Sequence, residues 1–209
     1  MSMSGVVKVK VCGITQLEDA QLAVDLGAWA VGFVFWTKSP RYISPVRAEE
    51  IVSRLPGDLT AIGVFVNATV DEIHETVVRV GLSHVQLHGE ESSSMYHELQ
   101  YPIIRSVPVS AENVSILVDR VPKNVTVLLD AHDPVQRGGT GRRLDWTVAS
   151  QVAATRDVIL AGGLNAQNIR EAVRVVKPYG LDVSSGVEFR PGRKSDQKLR
   201  AFFEGVFRP

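Results

Sequence analysis

The sequence predicts a (β/α)8 barrel, and three observations support that fold class. Short runs rich in β-branched residues alternate with longer amphipathic stretches, which is the pattern of repeated βα units around a parallel sheet. Eight such units follow one another without a Pro/Ser-rich linker or a change in composition. Eight units in 209 residues approach the minimum for such a barrel, which typically has about 250 residues. An open, doubly wound sheet is the alternative, because strand order cannot be read from sequence.

Each unit is expected to contribute one strand and one helix. The predicted strands are residues 6–12, 30–35, 60–66, 84–88, 103–107, 126–131, 157–161 and 181–184. The predicted helices are residues 17–26, 45–55, 70–80, 92–99, 111–120, 145–154, 166–176 and 196–207. Side-chain oxygens that can accept from the free N–H groups of a first helical turn mark five predicted N-caps, which are Thr15, Ser44, Thr69, Asp145 and Asn165.

The composition indicates one ordinary globular domain over residues 1–209, with residues 1–5 as a disordered N-terminal extension. Lys plus Arg and Asp plus Glu both number 23, so no overall basic field favours nucleic acid or an anionic membrane surface as a partner. Without such a field, an anionic small molecule must be bound by a few residues at one site. Neither a signal core nor an apolar run of about 20 residues is found, and a cytoplasmic protein is expected. The sequence does not indicate the oligomeric state.

Cys12 is the single cysteine of the chain, so it cannot form an internal disulfide. Free cysteine is among the most buried residue types, and one interpretation of Cys12 is a small buried hydrophobe. The other interpretation is a chemical group, because Cys12 ends the first predicted strand. A metal site is not expected, since five scattered histidines and one cysteine lack tight ligand spacing.

Strand alternation predicts which side chains face into the barrel. Successive side chains of a strand point to opposite faces, so Val9 and Val11 should pack on helices while Lys10 and Cys12 face inward. Barrel interiors are usually filled by branched apolar residues. A polar set near strand ends therefore indicates a site, and its members are Lys10, Cys12, Gln86, His88, Arg105, Asp130 and Asp182. For Gln86 and Asp182 the alternative is a structural role, in which they satisfy buried backbone groups.

Two turns near the C-terminus are predicted to bind phosphate. Gly162 and Gly163 follow the seventh strand, and Ser184 and Ser185 follow the eighth. The loops after strands seven and eight form a recurrent phosphate site in this fold. Each turn alone is a weak signal, but their joint placement is stronger. The glycine-rich segment 138–141 lacks the Gly-Lys-Ser/Thr ending of a P-loop and is interpreted as a lid or tight turn.

Ordered motifs over nearly the whole chain resemble the phosphoribosylanthranilate isomerase family of tryptophan biosynthesis. They are Lys10-Val11-Cys12-Gly13-Ile14-Thr15, Gly32-Phe33-Val34-Phe35, Ser39-Pro40-Arg41-Tyr42, Gly63-Val64-Phe65-Val66-Asn67, Val85-Gln86-Leu87-His88-Gly89, Leu128-Leu129-Asp130-Ala131, Gly138-Gly139-Thr140-Gly141, Leu160-Ala161-Gly162-Gly163-Leu164-Asn165, Asp182-Val183-Ser184-Ser185-Gly186-Val187-Glu188 and Pro191-Gly192. Two departures are Leu144, where the family usually has Phe, and the basic pair Arg142-Arg143.

The resemblance implies a cofactor-free Amadori rearrangement of N-(5-phosphoribosyl)anthranilate. It implies that Asp130 is a general acid on the ring oxygen and that Cys12 is a general base on the sugar C2 proton. For these roles Asp130 should start protonated and Cys12 should be a thiolate, with Lys10 as a nearby cation.

By the same resemblance Arg41 contacts the anthranilate carboxylate, whereas on sequence alone an exposed loop arginine is its alternative. His88 is assigned to the wall of the sugar pocket, and Lys10, Gln86 and Asp182 are assigned to substrate binding. The related isomerase of histidine biosynthesis is expected to have Asp in place of Cys12. A non-catalytic phosphate-binding barrel is the alternative from another functional class.

Overall fold

Eight parallel strands pair in sequential order and close into a barrel in the computed structural model, which describes residues 7–109, 114–130 and 146–207. The barrel strands are β1 (Lys8–Cys12), β2 (Ala30–Val34), β3 (Thr60–Phe65), β4 (His84–Leu87), β5 (Ile103–Pro108), β6 (Thr126–Asp130), β7 (Val158–Ala161) and β8 (Gly180–Val183). The helices are α1 (Leu17–Asp25), α2 (Pro45–Val52), α3 (Val70–Val80), α4 (Met95–Glu98), α5 (Val114–Asp119), α6 (Trp146–Ala153), α7 (Ile169–Val176) and α8 (Asp196–Phe207). None of the helices in the described ranges is long and apolar enough to cross a membrane.

The predicted fold class is confirmed, and the open doubly wound sheet is excluded by the closed strand order. All eight predicted strands and helices are present where the chain is described, although several ends differ by one to three residues. The segment after β8 was missed by the sequence analysis. It forms a short 3-10 turn (Ser185–Val187) and an antiparallel hairpin, β9 (Glu188–Arg190) and β10 (Arg193–Lys194), before α8. The predicted N-terminal extension, the segment 138–141, the departures at 142–144 and the predicted cap Asp145 lie outside the described residues.

The barrel closes where β1 pairs with β8, and this register positions the polar residues. Lys10 is the direct partner of Asp182 across that pair, and Cys12 is the partner of Gly32 on β2. Since side chains alternate along each strand, Lys10 and Cys12 share the inner face of β1. The first and last strands therefore bring an ammonium, a carboxylate and a thiol to one side of the barrel interior.

Two separate apolar clusters confirm the predicted strand alternation. The larger cluster lies between the sheet and the helices and contains Val9, Val11, Leu87 and Leu129. The smaller cluster fills the barrel beneath its mouth and contains Ala30, Ile62, Ile104, Leu128, Ile159 and Ala161. Polar inner residues border this cluster, because Lys10, Gln86 and Asp130 are the register partners of its members Ala30, Ile104 and Ala161.

The helix starts agree in part with the predicted N-caps. The side chain of Ser44 accepts from the Arg47 N–H at the start of α2, and Thr69 forms a capping box with Glu72 at the start of α3. Asn165 Oδ1 accepts from the N–H groups of Gln167 and Asn168 in the turn that leads into α7.

The predicted cap at Thr15 is wrong. The residue that precedes α1 is Gln16, which makes no side-chain cap hydrogen bond. The Thr15 hydroxyl instead donates to the carbonyl of Gly192 in the β9–β10 hairpin. A contact with a residue far along the chain thus overrides the local capping preference.

Thr69→Ala is expected to lower the free energy of unfolding by about 1 kcal/mol, because it removes the hydroxyl that caps α3. Urea unfolding followed by circular dichroism measures the change. Thr76→Ala in the same helix is the control, since the Thr76 hydroxyl only donates to the already bonded carbonyl of Glu72. Equal stability of the two variants would contradict the capping role.

Candidate active site

A cavity of about 610 Å³ opens at the carboxyl ends of the barrel strands. Its volume lies within the roughly 300–1,000 Å³ of small-molecule sites. The wall is formed by side chains at or near the carboxyl ends of β1, β4, β6 and β8 and by the loops that come after β2, β7 and β8. Its predicted members are Cys12, Arg41, Gln86, His88, Asp130, Gly162, Gly163, Asp182, Ser184 and Ser185. Active sites of (β/α)8 enzymes lie at this end of the barrel.

Cys12 lies at the base of the cavity, and only 8% of the residue is exposed. Gly32, its neighbour on β2, makes room for it, because a Cβ at Gly32 would lie 2.9 Å from Cys12 Sγ and 3.1 Å from Lys10 Nζ. Lys10 is fully buried, and its Nζ lies 3.0 Å from Asp182 Oδ1. The thiol therefore has a buried lysine–aspartate ion pair as its direct neighbour.

Lys10 does not line the cavity, although it was predicted to bind substrate. It stands two residues before the strand end, so its side chain lies one layer deeper in the barrel than Cys12. Gln86 and Asp182, for which a structural role was the alternative, do line the cavity, and their side chains contact other side chains, those of His88 and Lys10.

Burial raises the pKa of Cys12, against the lowering effect of Lys10 and, at longer range, Lys194. The expected thiolate is therefore not favoured in the unliganded chain, because desolvation outweighs the nearby cations. Burial also acts to lower the pKa of Lys10, but the attraction of Asp182 and Cys12 together raises it, so this ammonium stays charged. The site thus places a thiol whose pKa is raised by burial beside a lysine whose pKa is raised by its neighbours.

Asp130 lies on another side of the cavity, at the end of β6. His88 Nε2 is 3.4 Å from Asp130 Oδ2, and Gln86 Nε2 is 3.0 Å from His88 Nδ1. Gln86 is 1% exposed, so it holds the imidazole edge in a fixed position. The amide nitrogen of Gln86 can only donate, so Nδ1 of neutral His88 accepts from it and the Nε2–H is directed at the Asp130 carboxyl group.

The loops after β7 and β8 fit together closely. Gly162 and Gly163 adopt left-handed backbone conformations, with φ of 88° and 65°. A Cβ at Gly186 would lie 1.9 Å from the carbonyl oxygen of Leu164, so only glycine allows this approach of the two loops. The two predicted phosphate-binding turns are therefore adjacent, as their positions in the sequence indicated.

Donors in these loops remain available to a ligand. Among the described residues, the N–H groups of Gly162, Gly163, Ser185 and Gly186 donate no backbone hydrogen bond. The buried Ser184 hydroxyl also has no partner in that part of the chain. Buried polar groups are normally hydrogen-bonded, so a cluster of free donors beside a cavity is suited to an anion.

Arg41 reaches the cavity from the loop after β2, and its guanidinium is held by Glu188 of the β9–β10 hairpin. Arg41 Nε and Nη2 lie 2.8 Å and 2.6 Å from the two carboxylate oxygens of Glu188. The side chain of Arg41 is 23% exposed, so it is not the free loop arginine that was the alternative. Burial acts to raise the pKa of Glu188, but hydrogen bonds and charge from Arg41 and Lys194 lower it overall.

Glu188 and Lys194 were missed as site residues by the sequence analysis. The signal that could have found them is the Pro191-Gly192 turn between short polar segments, which is typical of a hairpin. Arg105 was expected at the mouth but is not part of the cavity wall. Its neighbour Ile104 faces the barrel interior, so Arg105 points to the other face of β5 and contacts Glu91 and the Gly89 carbonyl.

The fold and the site together define a (β/α)8-barrel protein in which a thiol, a carboxyl group and the glycine- and serine-containing loops after β7 and β8 surround one cavity. The chain belongs to the N-(5'-phosphoribosyl)anthranilate isomerase family, since the sequence model of N-(5'phosphoribosyl)anthranilate (PRA) isomerase matches residues 9–205.

Relatives and solved structures agree with this family. The N-(5'-phosphoribosyl)anthranilate isomerase of Citrifermentans bemidjiense is 47% identical over 194 residues, which are 92% of this chain and 93% of the relative. Phosphoribosyl anthranilate isomerase from Thermotoga maritima has a TM-score of 0.89 and 41% identity, and the match covers 96% of this chain and 98% of that chain. A structure of the isomerase with reduced 1-(o-carboxyphenylamino)-1-deoxyribulose 5-phosphate has a TM-score of 0.85 at 39% identity over 96% of this chain and 98% of that one.

The pKa of Cys12 is expected to lie above the ordinary thiol value of about 8.5, because burial disfavours the thiolate. Ultraviolet thiolate absorbance of the unliganded protein, titrated with pH, measures it directly, since Cys12 is the only cysteine. Cys12→Ser provides the baseline for tyrosine absorbance. A midpoint at or below the ordinary value would contradict the dominance of desolvation.

Proposed function

We propose that this chain converts N-(5-phosphoribosyl)anthranilate into 1-(2-carboxyphenylamino)-1-deoxyribulose 5-phosphate, a step of tryptophan biosynthesis. The observation that carries the proposal is that a thiol and a carboxyl group, Cys12 and Asp130, line the same cavity as the free donors of the β7 and β8 loops. The reaction is an isomerisation without net redox change, so it requires no cofactor. The relatives' activity supports the same assignment.

Asp130 is the general acid of this mechanism. It donates a proton to the furanose ring oxygen, the bond between that oxygen and C1 breaks, and an iminium ion forms between C1 and the anthranilate nitrogen. His88 contacts the same carboxyl group and is positioned to return a proton to it after the transfer. Gln86 keeps the imidazole in the required orientation.

Cys12 is the general base. As a thiolate it removes the C2 proton of the iminium ion, and the resulting enolamine tautomerises to the ketone. The raised pKa of the free thiol fits this order of events, because the positive charge of the iminium ion favours the thiolate when the base is needed. Lys10 acts from beneath the site through its charge rather than by touching substrate.

The substrate's two anionic ends have separate partners in this proposal. Gly162, Gly163, Ser184 and Ser185 hold the phosphate through backbone N–H groups and the Ser184 hydroxyl, which has no hydrogen-bond partner among the described residues. Arg41 faces the anthranilate carboxylate with the part of its guanidinium that Glu188 leaves available. Asp182 remains on the wall between these ends, where it can accept from a sugar hydroxyl.

Wild-type protein is expected to turn over phosphoribosylanthranilate, as followed by the loss of substrate fluorescence. Cys12→Ala and Asp130→Asn should each lower kcat by about 10²- to 10⁴-fold, because each removes one proton-transfer group. Asp58→Asn, at an exposed loop carboxylate, is the matched control and should leave kcat unchanged. Wild-type protein that binds the substrate without turnover would favour the non-catalytic phosphate-binding barrel.

Gly163→Ala is expected to raise KM roughly tenfold with little change in kcat. Its φ of 65° is unfavourable for a side chain, so the loop must shift and its N–H groups lose their alignment. Steady-state kinetics separates the two parameters. Gly57→Ala, where an added Cβ meets nothing within 4 Å, is the control. A fall confined to kcat would argue against a phosphate-binding role for this loop.

A further inference from the structure

We propose that Glu188 is a positioning residue that fixes the guanidinium of Arg41 for the carboxylate end of the ligand, and that Lys194 anchors Glu188 for this purpose. The inference rests on the proposed function, because it assigns the carboxylate subsite of the same cavity. Glu188 itself lies beside the cavity rather than in its wall, so it acts through Arg41.

The first observation is the geometry of the Arg41–Glu188 pair. Two of the three guanidinium nitrogens donate to the two oxygens of one carboxylate, which fixes both the position and the plane of the fork. The Glu188 side chain is 4% exposed and cannot move away without breaking buried contacts. Glu188 does not bind the third guanidinium nitrogen, Nη1. The carboxylate of a ligand in the cavity can therefore approach Nη1.

A second observation is the path of the Arg41 side chain. Gly13, directly after Cys12, has a φ of 75°, and a Cβ there would lie 2.6 Å from Arg41 Cδ. The stem of Arg41 therefore packs against the bare backbone of Gly13, directly after the end of β1. The position of the guanidinium relative to the end of β1 is thus limited by direct packing.

The third observation is how Lys194 anchors the pair. Lys194 is 7% exposed, and its Nζ donates to Glu188 Oε1 at 3.0 Å and to the carbonyl of Cys12 at 2.6 Å. Its backbone N–H donates to Asp19 of α1 at 2.8 Å. Arg41 is consequently tied through Glu188 and Lys194 to the backbone of the residue that carries the thiol.

Charge also favours this role. Glu188 contacts two basic side chains, Arg41 and Lys194, so its charge does not act on the Arg41 guanidinium alone. Burial lowers the pKa of Lys194, although the charge of Glu188 acts to raise it. Arg41 therefore keeps part of its attraction for an anion in the cavity.

The test is a double-mutant cycle of Glu188→Gln and Arg41→Ala, read by calorimetric binding of two ligands. One ligand is reduced 1-(2-carboxyphenylamino)-1-deoxyribulose 5-phosphate, and the other is the same compound without the aromatic carboxylate. Glu188→Gln should weaken the first ligand about tenfold and the second by less than about twofold. In the Arg41→Ala background, Glu188→Gln should change the affinity for the first ligand by less than about twofold.

A merely structural role of Glu188 predicts equal losses for both ligands and the same loss in the Arg41→Ala background, and either result would overturn the inference. Glu188→Asp keeps the charge but shortens the side chain, and it serves in the same cycle if Glu188→Gln unfolds on thermal denaturation. Glu50→Gln, which breaks the exposed Arg47–Glu50 pair, is the control and should leave both affinities unchanged. Wild-type protein that binds neither ligand would contradict the proposed function itself, whereas an additive cycle contradicts only the inference.

Discussion

The buried ion pair between Lys10 and Asp182 is the interaction on which the rest of the site depends. These residues are register partners on the strands that close the barrel, so the pair joins the start of the fold to its end. An unpaired ammonium or carboxylate at this depth would be strongly destabilising, and the two charges must therefore remain together. With that register fixed, Cys12 is the next inward residue of β1 and Ser184 directly follows the end of β8, and both lie on the cavity wall.

The proposed acid and the proposed base occupy different environments within one cavity. Cys12 is enclosed by β1, β2 and a buried cation, whereas Asp130 contacts an imidazole at the mouth, and its side chain is 24% exposed. Proton exchange with solvent is easier at an exposed group, which suits a residue that must recover its proton in every cycle. Enclosure raises the pKa of the thiol, and in the proposed mechanism the charge of the bound intermediate offsets this effect. The two positions thus suit the two halves of the proposed acid–base reaction.

Much of the architecture could be predicted from local patterns in the sequence. The two-residue alternation of strands correctly assigned the inner faces of Lys10, Cys12, Gln86 and Asp130, because that period follows directly from backbone geometry. The predictions that failed depended on long-range contacts and on burial. The face of β5 on which Arg105 lies is set by how that strand pairs with its neighbours, and the raised pKa of Cys12 results from desolvation in the folded chain. Lys194 was missed because it contacts the Cys12 carbonyl across 182 residues of sequence. No local pattern carries such long-range contacts.

The enclosure of Cys12 has a consequence for damage by oxidants. Peroxides attack the thiolate and not the thiol, so a residue kept protonated and only 8% exposed should oxidise slowly. A protein with a single sulfhydryl group has no second one to form a reversible internal disulfide, so overoxidation of Cys12 to a sulfonic acid would be permanent. In the proposed mechanism, a sulfur that stays protonated between turnovers is protected from that irreversible loss.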